Sequence, residues 1–498
     1  MVLEGCIKTN NKHGLVIVFT VALAARLIAL HFFPTDWNWD SYHHWQISFL
    51  SLKVGFSQGR LWDLNGCEYY WGMVPHLVQS GILWALNTTS IQPYRVFNVL
   101  FGSINAVLVY INGRERSESI GYQSGLLYSL FPFAILFDIL GLQDTVALTF
   151  LLTSLHLSNR YPFWAGAALA LAAQSRNEIL LISFVIVAWV MFIERMSTDR
   201  MPFLIGWLVI TMAFAWYMFS QTGNPVYGLY WNLHNVFTSG GLSKANGLLD
   251  AALKWVTWKL SVWPSKPSGI IIITAAFTTF AYFLYSLKRK PRNYSMVFFL
   301  STVTLTAPIY LTYLGSEPRM FLIMARTMNP VAALGLPLLM TFFSKLFHGQ
   351  GTFSPFTALT VLFITSTLIL TPSYLGFQEE TNGTMKIAEK VGVIYRGGTI
   401  VCDYPMMNYH LFNRWHIDST KIIGSHYAPH YYGSSSPNDH LIWLWNKKVT
   451  LFIRYGEDSE IVFNMVNSFT NSVFVNEFEQ LGIECYSVDS NEILKALI

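Results

Sequence analysis

The sequence predicts a polytopic α-helical membrane protein with about eleven spans and a C-terminal extracytoplasmic α/β domain. Three observations carry this. Of 498 residues, 53% are hydrophobic and only 12% charged, against roughly 25% charged in a soluble protein, which excludes an ordinary soluble enzyme. Apolar stretches of spanning length recur along the chain. The charge pattern changes at Tyr374: residues 1–373 hold 23 Lys/Arg and 14 Asp/Glu, whereas 374–498 hold 9 and 14. A transmembrane domain over 1–373 and an α/β domain over 374–498 follow from that break. The basic residues of the first part lie in short runs between apolar segments, the placement a bilayer demands, so the net charge of +4 does not indicate nucleic acid.

The first apolar run, Gly14 to Phe33, follows Lys8, Lys12 and His13. It is too long for a signal peptide and has no small-x-small cleavage site after it, so it reads as a retained span with its N-terminus inside. Further spans are expected near 145–158, 162–175, 179–193, 202–219, 269–287, 294–313, 321–343 and 355–372. Lys288-Arg289-Lys290-Pro291-Arg292 places the loop between two of them in the cytoplasm. Counting outward puts Arg160, the Arg195 to Arg200 loop and Lys345 inside, and 34–71, 141–144, 176–178, 220–268, 315–320 and everything after 373 outside. One conflict remains. Three apolar stretches, 72–87, 96–112 and 121–139, separate two outer segments, and an odd number of crossings cannot return the chain to its starting side.

The outer loop 220–268 carries Leu249, Ala252, Leu253, Val256, Leu260 and Trp263 at helical spacing, an interfacial helix by pattern. After Thr371-Pro372 the pattern turns to soluble α/β. A helical stretch Thr384 to Gly392 precedes a strand Thr399 to Cys402, then a helix, a strand Val449 to Ile453 and a last strand Ile483 to Val488. Cys402 and Cys485 lie in two of these strands and are candidates for a disulfide. Asn382-Gly383-Thr384 matches an N-glycosylation acceptor. No GxGxxG, Walker loop or nucleophile elbow gives this domain an active site of its own.

Charges at membrane spans are costly and mark functional sites by default. Asp36, Asp40, Glu68, Asp144, Arg176, Glu178, Glu317, Arg319 and Arg326 all fall at the expected outer face or within two turns of it. Acids and arginines on one face suit a substrate with an anionic group and a nucleophile that must lose a proton. The densest signal is the aromatic-acidic run Phe33 to Trp45, in which Tyr42, Trp45 and Phe49 recur at helical spacing, as on a helix lying along the membrane surface. Asp40 with His43 or His44 has metal-ligand spacing, but adjacent histidines diverge, so the expectation is no cofactor, with a divalent metal as the alternative.

Taken together, Trp39-Asp40-Ser41 after the first span, the outer acid of Gly141-Leu142-Gln143-Asp144, Arg176 between two short spans, and Glu317-Pro318-Arg319 opening a late span that contains Pro330 resemble the GT-C superfamily. These membrane glycosyltransferases use polyprenyl-phosphate sugars and include protein O-mannosyltransferase-like and aminoarabinose-transferase-like enzymes. The resemblance implies a single inverting displacement at the outer face, with a first-loop acid as general base. That acid matches Asp40, with Asp36 as second choice, and the outer acid of the later loop matches Asp144. Arg326, Arg319 and Arg176 are the candidates for the donor phosphate, and Glu68, Glu317 and Glu178 for acceptor contact or support. Two departures limit the carry-over: the first-loop acids are separated by three residues rather than adjacent, and the Trp-Trp-Asp motif of oligosaccharyltransferases is absent.

The expected partners are therefore a polyprenyl- or dolichyl-phosphate sugar, a lipid, glycan or protein acceptor, and membrane lipids. The alternative is a transporter or flippase. Transporters place charges near mid-membrane and show repeat symmetry, whereas here the charges gather at one face and no repeat is visible.

Overall fold

Helix α1 (Asn11–Phe32) begins a helical unit in which chain direction is set by a few close contacts. The computed structural model describes residues 11–54, 72–192, 200–230, 254, 295–303, 317–346, 355–425, 428–429, 436–474 and 483–497. Two compact units arise: Met1–Phe32, Tyr69–Pro75 and Arg95–Ile369 form one, and Phe33–Glu68, His76–Tyr94 and Leu370–Ile498 the other.

In the first unit, α4 (Gln92–Arg114) lies antiparallel to α1. Tyr110 covers Gly14 near one end, and Gly102 sits against Arg26 near the other. Helices α5 (Glu118–Ser129) and α6 (Pro132–Asp138) are bent by 58° at the break between them and run parallel to α1: Gly125 packs on Val18, Ser129 Oγ donates to the Val18 carbonyl, and Asp138 reaches Arg26. Stretches 96–112 and 121–139 thus traverse the unit in opposite senses. The first unit therefore releases the chain after α1 and takes it back into α4 at one and the same end. Stretch 72–87 holds helix α3 (Met73–Ala85, 13 residues), about 20 Å long at about 1.5 Å per residue.

Helices α7 (Asp144–Leu157), α8 (Pro162–Ala173), α9 (Asn177–Phe192) and α10 (Met201–Thr222) complete the described bundle with α11 (Glu317–Leu346). α8 and α10 cross at backbone contact: a Cβ on Gly166 would lie 1.9 Å from the Phe203 carbonyl oxygen, and one on Gly206 2.0 Å from that of Phe163. Only glycine permits that approach. Among the described residues four helices are long and apolar enough to cross a membrane, five if α5 and α6 count as one span, and 144–157, 162–173, 178–191 and 355–368 are shorter apolar helices. The candidate spans near 269–287 and the amphipathic stretch of 220–268 lie outside the described residues.

In the second unit, α2 (Trp39–Val54) corrects the expectation of a membrane-surface helix. Its aromatic stripe, Tyr42, Trp45 and Phe49, is buried at 1%, 1% and 4% exposure. These rings pack on Tyr409 and Phe412 of α13 (Pro405–Trp415), because an apolar face finds a protein partner of matching spacing as readily as lipid. The boundary expected at 373/374 falls inside one 40-residue helix, α12 (Pro355–Ile394).

The C-terminal part holds a five-stranded sheet of order β2-β1-β3-β5-β4. Its strands are β1 (Thr399–Val401), β2 (Ile422–Ile423), β3 (Val449–Arg454), β4 (Thr470–Phe474) and β5 (Glu484–Val488). β1 pairs parallel with β2 and β3, and β5 antiparallel with β3 and β4. The short strands β2 and β4 carry too little alternation to be read from sequence. Cys402 and Cys485 are buried and not joined by a disulfide, which corrects the disulfide expectation. β3 intervenes between β1 and β5, a separation of about 9.6 Å at the usual strand spacing, beyond the ~7 Å that a bridge tolerates. Burial in apolar surroundings pushes the Cys485 thiol up to about 12. The glycosylation acceptor lies within α12 with Thr384 buried, a poor setting for a modification that needs an exposed loop.

Candidate functional site

The first cluster forms at the end of the helical unit where α1 stops. The α6–α7 loop, which presents Asp144, is held by side chains of α4. Arg95 Nε donates to the Ile139 carbonyl at 2.8 Å, Asn98 Nδ2 to those of Leu140 and Leu142 at 2.6 and 2.9 Å, and Asn105 Nδ2 to that of Thr145 at 3.2 Å. The carbonyls of Ile139, Leu140 and Leu142 lie past the end of α6, where a helix break would otherwise orphan them. Asp144 opens α7, and Glu178 lies in the first turn of α9, both positions where the helix dipole favours an acid. Arg176 joins them: its Nε and Nη2 donate to the two Glu178 oxygens at 3.2 and 2.9 Å, and its Nη1 lies 3.6 Å from Asp144 Oδ1. Arg176 Nη1 is buried and has no hydrogen-bond acceptor among the described residues, its partner there being Asp144 in the ion pair. Gly72 packs against Ser175 and the Val74 N–H donates to the Gln174 carbonyl, which brings the start of α3 to the same end.

The second cluster is the turn leading into α2. Asp36 is fully buried, and its carboxylate accepts the Asn38 N–H at 3.0 Å. Asn38 caps α2, its Oδ1 accepting the Asp40 N–H at 2.9 Å. Asp40 therefore sits half-buried in the first helical turn, while Asp36 serves the backbone. Behind them, buried His44 and His76 meet with Nδ1 and Nε2 at 3.1 Å, and Ser48 Oγ donates to Gln79 Oε1 at 2.8 Å. Among the described residues no group of three or more His, Cys, Asp or Glu is arranged to hold a metal ion.

Of the other candidates, Glu68 lies outside the described residues, and Glu317, Arg319 and Arg326 fall in α11 with their side chains outside the description. Sequence reasoning missed the pair Arg26–Asp138. Both side chains are fully buried, with Nε to Oδ2 at 2.8 Å. Arg26 Nη1 donates to the carbonyls of Ala22 and Ser129, and Thr145 Oγ1 donates to Asp138 Oδ1 at 2.7 Å. Arg26 is a charge inside the first apolar run, the kind of residue that should have been flagged at once.

No family model and no curated protein matches the sequence. Similar solved structures include an oligosaccharyltransferase of Archaeoglobus fulgidus in complex with an inhibitory peptide and a dolichol-phosphate, at 12% identity over 89% of this chain and 69% of that one, TM-score 0.45. Another is ArnT from Cupriavidus metallidurans bound to undecaprenyl phosphate, at 13% identity over 96% and 98%, TM-score 0.46. Identities this low transfer no residue role.

Proposed function

We propose that the protein is an inverting glycosyltransferase that moves a sugar from a polyprenyl- or dolichyl-phosphate to an acceptor at the outer membrane face. The observation that supports this best is the gathering of Asp144, Arg176 and Glu178 from separate segments at the end of the bundle where α1 hands the chain to the first loop. An acid-and-arginine cluster at that position suits a phosphate leaving group and a hydroxyl nucleophile.

Asp40 takes the acceptor hydroxyl proton as the oxygen attacks the anomeric carbon. The bond from that carbon to the phosphate oxygen breaks, configuration inverts, and the polyprenyl phosphate leaves. Arg326, Arg319 and Arg176 carry the phosphate charge. Asp36, whose carboxylate accepts the Asn38 N–H, is the second choice for the base, while Asp144, Glu68, Glu317 and Glu178 orient acceptor or arginines. The proposal includes about eleven spans, a cytoplasmic N-terminus and an extracytoplasmic 374–498.

Purified protein in detergent should transfer labelled sugar without a gradient. Asp40→Asn, close in shape but unable to take the proton, should lower turnover about 100- to 10,000-fold while keeping donor binding. Substantial turnover in Asp40→Asn with an inactive Asp36→Asn moves the role to Asp36. Activity in both ends the base assignment.

A further inference from the structure

The C-terminal domain has no motif that gives it chemistry, yet one of its helices is laid along the first loop. Tyr42 stands at the junction. Its ring lies 4.9 Å from that of Tyr409 and 5.8 Å from that of His410, and its hydroxyl donates to the Asp36 carbonyl at 2.8 Å. Tyr409 reaches further. Its ring edge meets Trp45 at 4.7 Å, and its hydroxyl accepts the Ile91 N–H at 3.3 Å. Trp45 Nε1 donates to the Thr89 carbonyl, and the Thr89 hydroxyl donates to Asn413 Oδ1. Gln92 Nε2 closes the ring of bonds on the Pro34 carbonyl at 2.9 Å. Both chain ends of the loop, 34–42 and 89–92, are thus tied to one face of α13. That face is itself anchored in the α/β domain by Asn408, buried, whose Nδ2 donates to the Cys402 carbonyl at the end of β1.

We propose that the α/β domain is a brace for the first loop, and that Tyr42 and Tyr409 are positioning residues for the Asp36–Asp40 turn. Asp40 lies in the first turn of α2, capped by Asn38, and a displacement of about 1 Å between base and acceptor costs on the order of 100-fold in rate. Tyr42 fixes the residue that opens that turn from inside α2, and Tyr409 fixes Tyr42 from α13 of the same unit. The effect on rate rests on Asp40 being the base. The brace itself does not.

The test uses the full chain in detergent, with Tyr42→Phe and Tyr409→Phe, each removing one hydroxyl while keeping the ring, and Tyr409→Ala, which removes the packing. Hydrogen exchange is followed on peptides covering 36–42 and 86–92 beside kcat and donor KM. Expected are faster exchange in 36–42 for Tyr42→Phe, faster exchange in both peptides for Tyr409→Ala, and kcat lowered roughly 10- to 100-fold with donor KM within about twofold. A loss of fold would instead move KM, kcat and exchange across the whole chain together. Unchanged exchange in both peptides for all three variants overturns the brace. Faster exchange with unchanged kcat, in a protein that Asp40→Asn inactivates, overturns the positioning role. If Asp40→Asn stays active, the base assignment has failed, and the exchange measurements still decide the brace.

Discussion

Replacing Arg26 with Met would leave the Asp138 carboxylate inside the helical unit with the Thr145 hydroxyl as its remaining hydrogen-bond partner among the described residues. Both charged side chains are fully buried, so neither water nor salt can take over the lost partner. Breaking such a pair from one side costs about 3–5 kcal/mol, whereas replacing both members with apolar groups of similar volume is often near neutral. Arg26→Met and Asp138→Leu should each be strongly destabilising. The double variant should recover most of the loss, because no uncompensated charge remains; what it forgoes are the bonds from Arg26 Nη1 to the Ala22 and Ser129 carbonyls and from Thr145 Oγ1 to Asp138, each worth about 1 kcal/mol. The coupling in the double-mutant cycle should then be at least about 2 kcal/mol. Unfolding in mixed micelles, followed by tryptophan fluorescence, measures it. Additive effects, with the double variant as unstable as the two singles together, would refute the claim that this pair holds α1 against the bent α5–α6.

Arg326→Ala and Arg176→Ala should each raise the donor KM, and the Lys variants should recover it only in part, since lysine cannot make two parallel bonds to a phosphate; an unchanged KM removes that arginine from the donor site. His410 is held neutral down to about 4, by burial and then by the nearby Arg414. The unfolded chain takes up a proton below about 6.5 that the folded chain refuses, so this histidine's burden on stability is absent above that value and grows as pH falls toward 4, to about 3 kcal/mol. His410→Gln should flatten that part of the stability profile, and an equally steep acid loss in the variant would refute it. For orientation, a cysteine at Ser435 in a cysteine-reduced variant should react with an impermeant thiol reagent in intact cells, and one at Asn293 should not; the reverse pattern inverts the scheme.

The sequence alone determined that this is a helical membrane protein ending in alternating strands and helices, because burial in lipid and burial in a sheet each impose a period and a length that composition exposes. It also determined which charges to watch: Asp144, Arg176 and Glu178 come from segments that hydropathy places on one side, and there they meet. Partner choice was beyond it. The stripe Tyr42, Trp45, Phe49 has the same spacing whether it faces lipid or α13, and only the fold shows Tyr409 and Phe412 waiting for it. Crossing direction was likewise beyond it, since hydropathy counts apolar length and carries no sign; Gly14 against Tyr110 and Arg26 against Asp138 supply the sign. Arg26 and Asp138 are 112 residues apart, and a charge that is tolerable only because its partner arrives from another helix is legible only once the chain has folded.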